Sequence, residues 1–313
     1  MFDLIGIGEC MVEFTTNEDA SSATHWHRSF GGDVLNSLVT ASRLGLRTAF
    51  VTRVGQDLFG SGLRASWASE GVDTSHAPLV PGTNGVYFIS LRENGEREFT
   101  YRRSNSAASQ LEPNDLDEQM FAHSRAVLLS GVTQAISRSA EATILRAAQL
   151  ARAFGVTVIF DPNYRPALWA AQGGLSSAQR AWTQLEPFVD VLLPSFPADV
   201  PALGWQGTSA EHLLQGVTSP KIIAIKCGDQ GVWVHSQASP AVHVPALPNV
   251  TVLDTTGAGD AWNGAFIAAY LKGQPLNIAA REANRVAAMK LAHRGAIAPR
   301  EAFGLVERKG GQS

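Results

Sequence analysis

Between residues 125 and 225 this chain alternates short, wholly apolar runs with longer amphipathic ones, and few folds accept that pattern. Ala126-Val-Leu-Leu-Ser130, Thr157-Val-Ile-Phe160, Asp190-Val-Leu-Leu193 and Lys221-Ile-Ile-Ala-Ile225 are continuously apolar at their centres. Helical stretches separate them, the first running from Ser137 to Phe154. A strand that is apolar on both sides has to be covered on both sides. The pattern therefore predicts an α/β fold, a parallel sheet between two helical layers. Gly231-Val-Trp-Val-His235 and Ala241-Val-His-Val-Pro245 form a hairpin-like pair at its edge, and 313 residues are enough to bury a large core.

The N-terminal third is organised differently. Asp3-Leu-Ile-Gly-Ile-Gly8 reads as a buried strand. Its Gly6-x-Gly8 is no dinucleotide loop, because Met11 stands where a third glycine is needed. Residues 11–16 and 26–30 read as short alternating strands. Gly31-Gly-Asp-Val-Leu-Asn36 opens a helix that ends near Leu44, with Gly45 as its stop. Gly31 and Gly32 serve either a plain turn or a close approach of backbone to ligand. A strand over 48–54 and a helix over 57–69 come after it. Next are Gly85-Val-Tyr-Phe-Ile-Ser-Leu-Arg92 and Arg97-Glu-Phe-Thr-Tyr-Arg102, two strands joined by an Asn-Gly turn. With residues 10–30 this gives a small β-rich lid, 10–30 plus 83–104, on a single domain spanning 1–313. Tyr87, Tyr101, Arg102 and Arg103 lie on or beside it, as solvated surface or as ligand contacts.

In a parallel sheet, ligands bind beyond the carboxyl ends of the strands. Asp161-Pro-Asn-Tyr-Arg165, Pro194-Ser195, Lys226-Cys-Gly-Asp-Gln-Gly231 and Asp254-Thr-Thr-Gly-Ala-Gly-Asp260 all meet that edge. A β-rich run, Val250-Thr-Val-Leu253, leads into the last of these, and an alanine-rich helix over 258–271 leads out. Leu276 to His293 forms another helix, with Ala279, Ala283, Val286 and Ala287 on its inner stripe; residues 307–313 read as a disordered tail. The glycines at the mouth of the 258–271 helix leave backbone N–H groups uncovered at the positive end of its dipole, an anion site. The same residues suit an ordinary capped helix after a glycine turn. As an anion site, Asp260 makes sense if the anion is a phosphoryl group in transit and the carboxylate takes the proton of the attacking group.

Other chemistries fall away. A formal charge of −3 and a pI near 6.2 give no electrostatic case for nucleic acid or an anionic membrane. Cys10 and Cys227 are far apart and form no CxxC. An acid stands near the N-terminus where a signal peptide is basic, and no apolar run approaches about 20 residues. The expectation is a cytoplasmic protein. There is no G-x-x-x-x-G-K-[ST] loop, no H-E-x-x-H and no G-x-S-x-G; His25-x-His27 reads as surface. Phosphoryl transfer at a helix mouth remains. The N–H groups of Gly257, Ala258 and Gly259 would hold the moving charge, with Mg²⁺ carried chiefly by nucleotide phosphates and water.

The 254–260 stretch resembles the C-terminal signature of the PfkB (ribokinase-like) carbohydrate kinases. Gly31-Gly-Asp-Val-Leu-Asn36, Arg43-Leu-Gly45 and Val54-Gly-Gln-Asp57 resemble that family's N-terminal region. Within it the chain is most similar to the 2-keto-3-deoxygluconate kinases. That likeness rests on Gly8-Glu-Cys-Met-Val-Glu13, Tyr101-Arg-Arg103, Phe160-Asp-Pro-Asn-Tyr-Arg-Pro166, Leu168-Trp169 and Arg294-Gly-Ala-Ile297 with Pro299-Arg-Glu301. The resemblance implies a ribokinase-like three-layer α/β/α sandwich with a mostly parallel sheet, and transfer of the ATP γ-phosphoryl to the C6 hydroxyl of a sugar acid. It makes Asp260 the base and 257–260 the anion hole. Gly32, Asn36, Tyr87, Tyr101, Arg103 and Arg165 fall on the sugar-acid side. Asn163, Ser195, Lys226, Gly228 and Gly231 fall on the nucleotide side with Gly257 and Gly259. Relatives carry N-x-x-E after the strand ending at Leu193. Pro194-Ser-Phe-Pro-Ala-Asp199 has neither residue, leaving Asp199 as a metal-organising acid or a helix-capping one. The alternatives are a kinase of the same family acting on 2-keto-3-deoxygalactonate, fructose or a related sugar, or a non-catalytic sensor. A homodimer through the lid, or a higher homo-oligomer, is expected.

Overall fold

The apolar runs pair as their alternation requires. In the computed structural model, which describes residues 1–91, 97–215 and 219–304, the chain begins with β1 (Phe2–Ile7), β2 (Met11–Thr15) and β3 (His27–Gly31). Helix α1 (Asp33–Arg43) leads to β4 (Thr48–Val51) and β5 (Val54–Gly55), and α2 (Gly60–Ser69) to β6 (Val72–Asp73) and β7 (Leu79–Val80). Then come β8 (Gly85–Leu91), β9 (Arg97–Arg102), α3 (Glu118–Ala122), β10 (Ser124–Ser130), α4 (Gly131–Ile136) and α5 (Arg138–Phe154). Strand β11 (Thr157–Asp161), α6 (Pro166–Ala170), α7 (Gly174–Leu185), β12 (Val191–Leu192), α8 (Ala210–Leu214) and β13 (Ile222–Lys226) are next. The chain closes through β14 (Val232–Ser236), β15 (Ser239–Val244), α9 (Ala258–Leu271) and α10 (Leu276–Leu291).

The central sheet has the order β15-β14-β13-β12-β11-β10-β1-β4-β6. Its strands run parallel from β13 to β6, and only β14 and β15 are antiparallel. Alternate residues of each strand feed opposite cores. Leu4, Leu128, Ile159 and Ala224 face a cluster with residues of α1, α9 and α10. Ile5, Val127, Val158, Phe160 and Ile223 face another with residues of α5 and α7. Both faces are thus covered, and the three-layer α/β/α arrangement results from the period-2 geometry of strands that are apolar throughout.

A second sheet, β3-β2-β8-β9, lies apart from the first. One of its faces turns Phe14, Phe88 and Trp26 toward each other, with Phe59 set edge-on to Phe14. The other carries Glu13, Tyr87 and Tyr101 in register across three strands.

Three expectations need correction. The strand over 48–54 is two strands, because the chain leaves β1 after Val51 and Val54 pairs with Leu79 instead. The helix expected from Asp57 starts at Gly60. Asp57 stands in the turn before it, and its Oδ1 accepts the N–H groups of Phe59 at 2.9 Å and Gly60 at 3.1 Å. Residues 250–253 form no strand. Val252 and Leu253 are 59% and 49% exposed, and the N–H groups of Leu253 and Asp254 both donate to Leu291 O at the end of α10. The Asn-Gly turn and the 307–313 tail lie outside the described residues.

Candidate active site

Two helix N-termini meet because one glycine lets them. A Cβ at Gly264 of α9 would stand 2.3 Å from the Ser37 carbonyl oxygen of α1, so only glycine allows this approach. One turn earlier on α9 and one residue earlier on α1, Asn36 Nδ2 donates to Asp260 Oδ2 at 2.8 Å. The mouth of α9 is shaped by Gly257, at φ 71°, where a Cβ would sit 2.2 Å from Ala296 O. At Gly259 a Cβ would find no atom within 4 Å, so the mouth opens outward. The Ala258 N–H turns back to Thr255 O at 3.2 Å, and the N–H groups of the first turn, a positive dipole end and a carboxylate share one opening.

Beneath it the strand ends supply charge. Asp161 closes β11 and Lys226 closes β13; Lys226 Nζ donates to Asp161 Oδ2 at 3.2 Å and to Asn263 Oδ1 at 2.8 Å. Asn263 Nδ2 returns to Asp161 Oδ2 at 2.5 Å. Asp33, the first residue of α1, accepts from Ser130 Oγ at the end of β10 and from Asn163 Nδ2 at 3.1 Å. Burial raises the Asp33 carboxyl, and Asp161 adds to it against the hydrogen bond from Ser130. Asp260 is pushed up to about 7 by burial first and the charge of Asp33 next, while the Asn36 hydrogen bond works the other way. A carboxylate in this range can both take and return a proton near neutrality.

On the second sheet, Gly31 and Gly32 make room for protein atoms. A Cβ at Gly31 would collide with the Tyr87 hydroxyl, and one at Gly32 with Glu9 O. The Tyr87 hydroxyl donates to Glu13, which also accepts from Ser29 Oγ at 2.9 Å. Tyr87 stacks on Tyr101 with centroids 5.7 Å apart, and the Arg103 guanidinium stands 5.9 Å from the Tyr101 ring centre. Arg103 is ion-paired with the buried Glu9. Its buried Nε has no hydrogen-bond acceptor among the described residues. Arg165 is exposed. Burial raises the Tyr101 hydroxyl, and the charges of Arg103 and then Arg165 oppose the rise, so both arginines bear on one ring. Glu9 is raised by burial, held down by Arg103 and pushed up again by Asp33. The Asp33 charge thus raises both Glu9 and Asp260.

The loops of the expected nucleotide side also converge, with different partners. Ser195 bridges to Lys226. Asp199 is buried and accepts the N–H groups of Ser195 at 2.7 Å and Tyr164 at 2.6 Å, one on each carboxylate oxygen. It caps no helix, since residues 197–204 form a turn, and it ties two strand-end loops together. Its carboxyl is raised to about 6 by burial and the charge of Asp161. The Lys226 ammonium faces inward to Asp161, away from the loop that it opens. Gly228 has φ 60°, and Gly231, at φ 91°, packs where a Cβ would stand 2.3 Å from Val244 O. Among the described residues no three His, Cys, Asp or Glu side chains converge to hold a metal. No helix there is long and apolar enough to cross a membrane.

Sequence reasoning passed over Glu9, Glu13, Asp33, Asp161 and Asn263 as site residues. Asp33 carried a signal, as an acid directly after Gly31-Gly32 at a helix start. The partners of Asp161 lie 65 and 102 residues away, and no local pattern announces them.

Similarity to known proteins agrees with this geometry. Residues 1–302 match the pfkB family of carbohydrate kinases. A 2-dehydro-3-deoxygluconokinase from Haemophilus influenzae is 34% identical over 310 residues, covering 93% of this chain and 94% of the relative. Another from Dickeya dadantii is 33% identical, covering 95% of this chain and 97% of the relative. The crystal structure of a PfkB protein from Polaromonas sp. JS666 superposes with a TM-score of 0.84 at 27% identity, over 97% of this chain and 100% of that one. The family's match runs through both sheets and the helix mouth alike: this chain belongs to the pfkB family of carbohydrate kinases.

Proposed function

We propose that this protein is an ATP-dependent 2-keto-3-deoxygluconate kinase, transferring the γ-phosphoryl group of ATP to the C6 hydroxyl to give 2-keto-3-deoxy-6-phosphogluconate. The observation that carries the substrate class is Arg103, whose buried Nε lacks an acceptor among the described residues beside Tyr101. A guanidinium pairs with a carboxylate in a fixed plane, and a tyrosine hydroxyl bonds a keto or hydroxyl oxygen. The names of the Haemophilus influenzae and Dickeya dadantii relatives support the same substrate.

In this reading Asp260 removes the proton from the sugar hydroxyl as it attacks, and Asn36 orients the carboxylate. The N–H groups of Gly257, Ala258 and Gly259 stabilise the charge of the transferring group. Arg103 and Arg165 hold the acid end, with Tyr87 and Tyr101 as the wall. ATP would lie over the loops at Asn163, Ser195 and 226–231. The oxygen-rich strand ends fit a hydrated Mg²⁺ brought by the nucleotide, which would neutralise phosphate charge without a protein cage. The four-stranded sheet serves as the lid. Its edges, β3 and β9, unpaired on their outer sides among the described residues, support a homodimer formed through it. The free thiols Cys10 and Cys227 support a cytoplasmic setting.

Coupled ADP release measured with a panel of sugars and sugar acids tests the substrate. The keto-deoxy acid should turn over with the highest kcat/KM, and turnover of fructose or ribose in its place would defeat the assignment. The acid limb of the kcat/KM profile tests the base. An ionised base near 7 makes the rate fall about tenfold per pH unit below that value. Asp33→Asn removes a charge that raises Asp260, so the limb should move to lower pH. Asn36→Leu removes a bond that favours the carboxylate, so it should move to higher pH. A limb unmoved by both would assign it to another group.

A further inference from the structure

Away from the reacting groups, one buried charge neither touches the substrate side nor moves a proton. Lys290 lies in the last turn of α10 with 1% of its surface exposed. The inner stripe of α10 at Ala279, Ala283 and Val286 is apolar, and an apolar residue at 290 would simply continue it. Burying an ammonium costs several kcal/mol unless its donors meet well-placed acceptors. Lys290 Nζ donates to the carbonyl oxygen of Asp254 at 2.9 Å and of His293 at 3.1 Å. The first of these opens the 254–260 turn, and the second opens the loop that runs behind it.

The same two segments are tied twice more. The Asp254 carboxylate accepts the N–H groups of Thr256 at 2.9 Å and Gly295 at 2.8 Å, and Gly257 packs directly on the Ala296 carbonyl. Burial would raise the Asp254 carboxyl, but hydrogen bonds from Thr256, the charge of Lys290 and the Gly295 N–H hold it below its usual value. The carboxylate therefore stays ionised beside the ammonium at neutral pH.

We propose that Lys290 is a positioning residue for phosphoryl transfer: its ammonium, held between two backbone carbonyls, fixes the 254–260 turn against the 293–296 loop and so aims the N–H groups of 257–259 and the Asp260 carboxylate. This rests on the kinase reading. The charge lies outside the sugar pocket, so its loss acts on kcat rather than on sugar binding.

The test compares wild type, Lys290→Ala and Lys290→Met in the coupled assay with the keto-deoxy acid. In both variants kcat should fall about 10²-fold, the scale of a small misplacement of reacting groups, with KM for the sugar acid within about twofold of wild type. Ammonium or methylammonium chloride, against tetramethylammonium chloride at equal ionic strength, should restore most of kcat in Lys290→Ala. It should leave Lys290→Met, whose side chain fills the space, and wild type unchanged. A folded Lys290→Ala with unaltered kcat overturns the proposal, as does a loss that no small cation restores. Variants unfolded in every salt also overturn it, assigning Lys290 to the core alone. Wild type that turns over no sugar acid would instead defeat the kinase reading and this inference with it.

Discussion

Asp260→Asn should abolish turnover while leaving ATP binding intact. The amide keeps the size and one acceptor oxygen of the carboxylate, so Asn36 and the helix mouth stay in place and only the proton acceptor is lost. General-base catalysis of this kind contributes about 10²–10⁴-fold, and kcat should drop by at least that much. The same substitution should stabilise the fold. Asp260 has a folded pKa near 7 against 3.8 for the free side chain. Its contribution is thus present in acid and lost as pH rises from about 4 through about 7. At pH 8 the native state holds a carboxylate that burial and Asp33 both disfavour, at a cost on the order of a few kcal/mol. Thermal melts of wild type and Asp260→Asn should converge near pH 4 and separate above pH 7, with the variant the more stable. A folded variant that retains turnover would remove Asp260 from the mechanism.

The burial that raises Asp260 is also why this stretch was legible in the sequence. An acid in the first turn of a helix behind a glycine turn is locally unfavourable beside a phosphate, and local conflict of this kind marks function. The α/β body was legible for a different reason. Strands buried on both faces must be apolar at every position, and Val127, Leu128 and Leu129 display that without any knowledge of their neighbours. The remainder depended on pairings across long stretches of chain. Lys226 reads as the start of a nucleotide loop, but its side chain is turned inward by Asp161 and Asn263. Residues 250–253 have β-branched composition and no strand to pair with among the described residues, so composition misled. Gly31 and Gly32 left a turn and a ligand contact equally open; the Tyr87 hydroxyl and the Glu9 carbonyl account for both glycines. Glu9 lay in a stretch that carried the family likeness, but nothing paired it with Arg103, since one acid after a buried strand could as well have faced water.

Glu9 also sets the size of the effect expected on removing Arg103. Arg103→Ala should raise KM for the sugar acid by about 10²–10³-fold, more than the loss of one contact would give, because Glu9 would remain buried, unpaired and opposed to the incoming carboxylate. A neutral sugar offered to the same variant should show little change. Glu9→Gln has the opposite sign: it releases Arg103 from its internal counter-charge, so KM for the acid should fall or hold. The double variant Glu9→Gln/Arg103→Ala should bind the acid better than Arg103→Ala alone, and should recover thermal stability that the single variant lost, since no uncompensated charge is left behind. Steady-state kinetics and melts on these three variants close a double-mutant cycle. Equal rises in KM for acid and neutral sugars in Arg103→Ala would show that Arg103 shapes the pocket without reading the carboxylate. Non-interaction between the two positions would show that the Glu9–Arg103 pair does not set the charge the substrate meets.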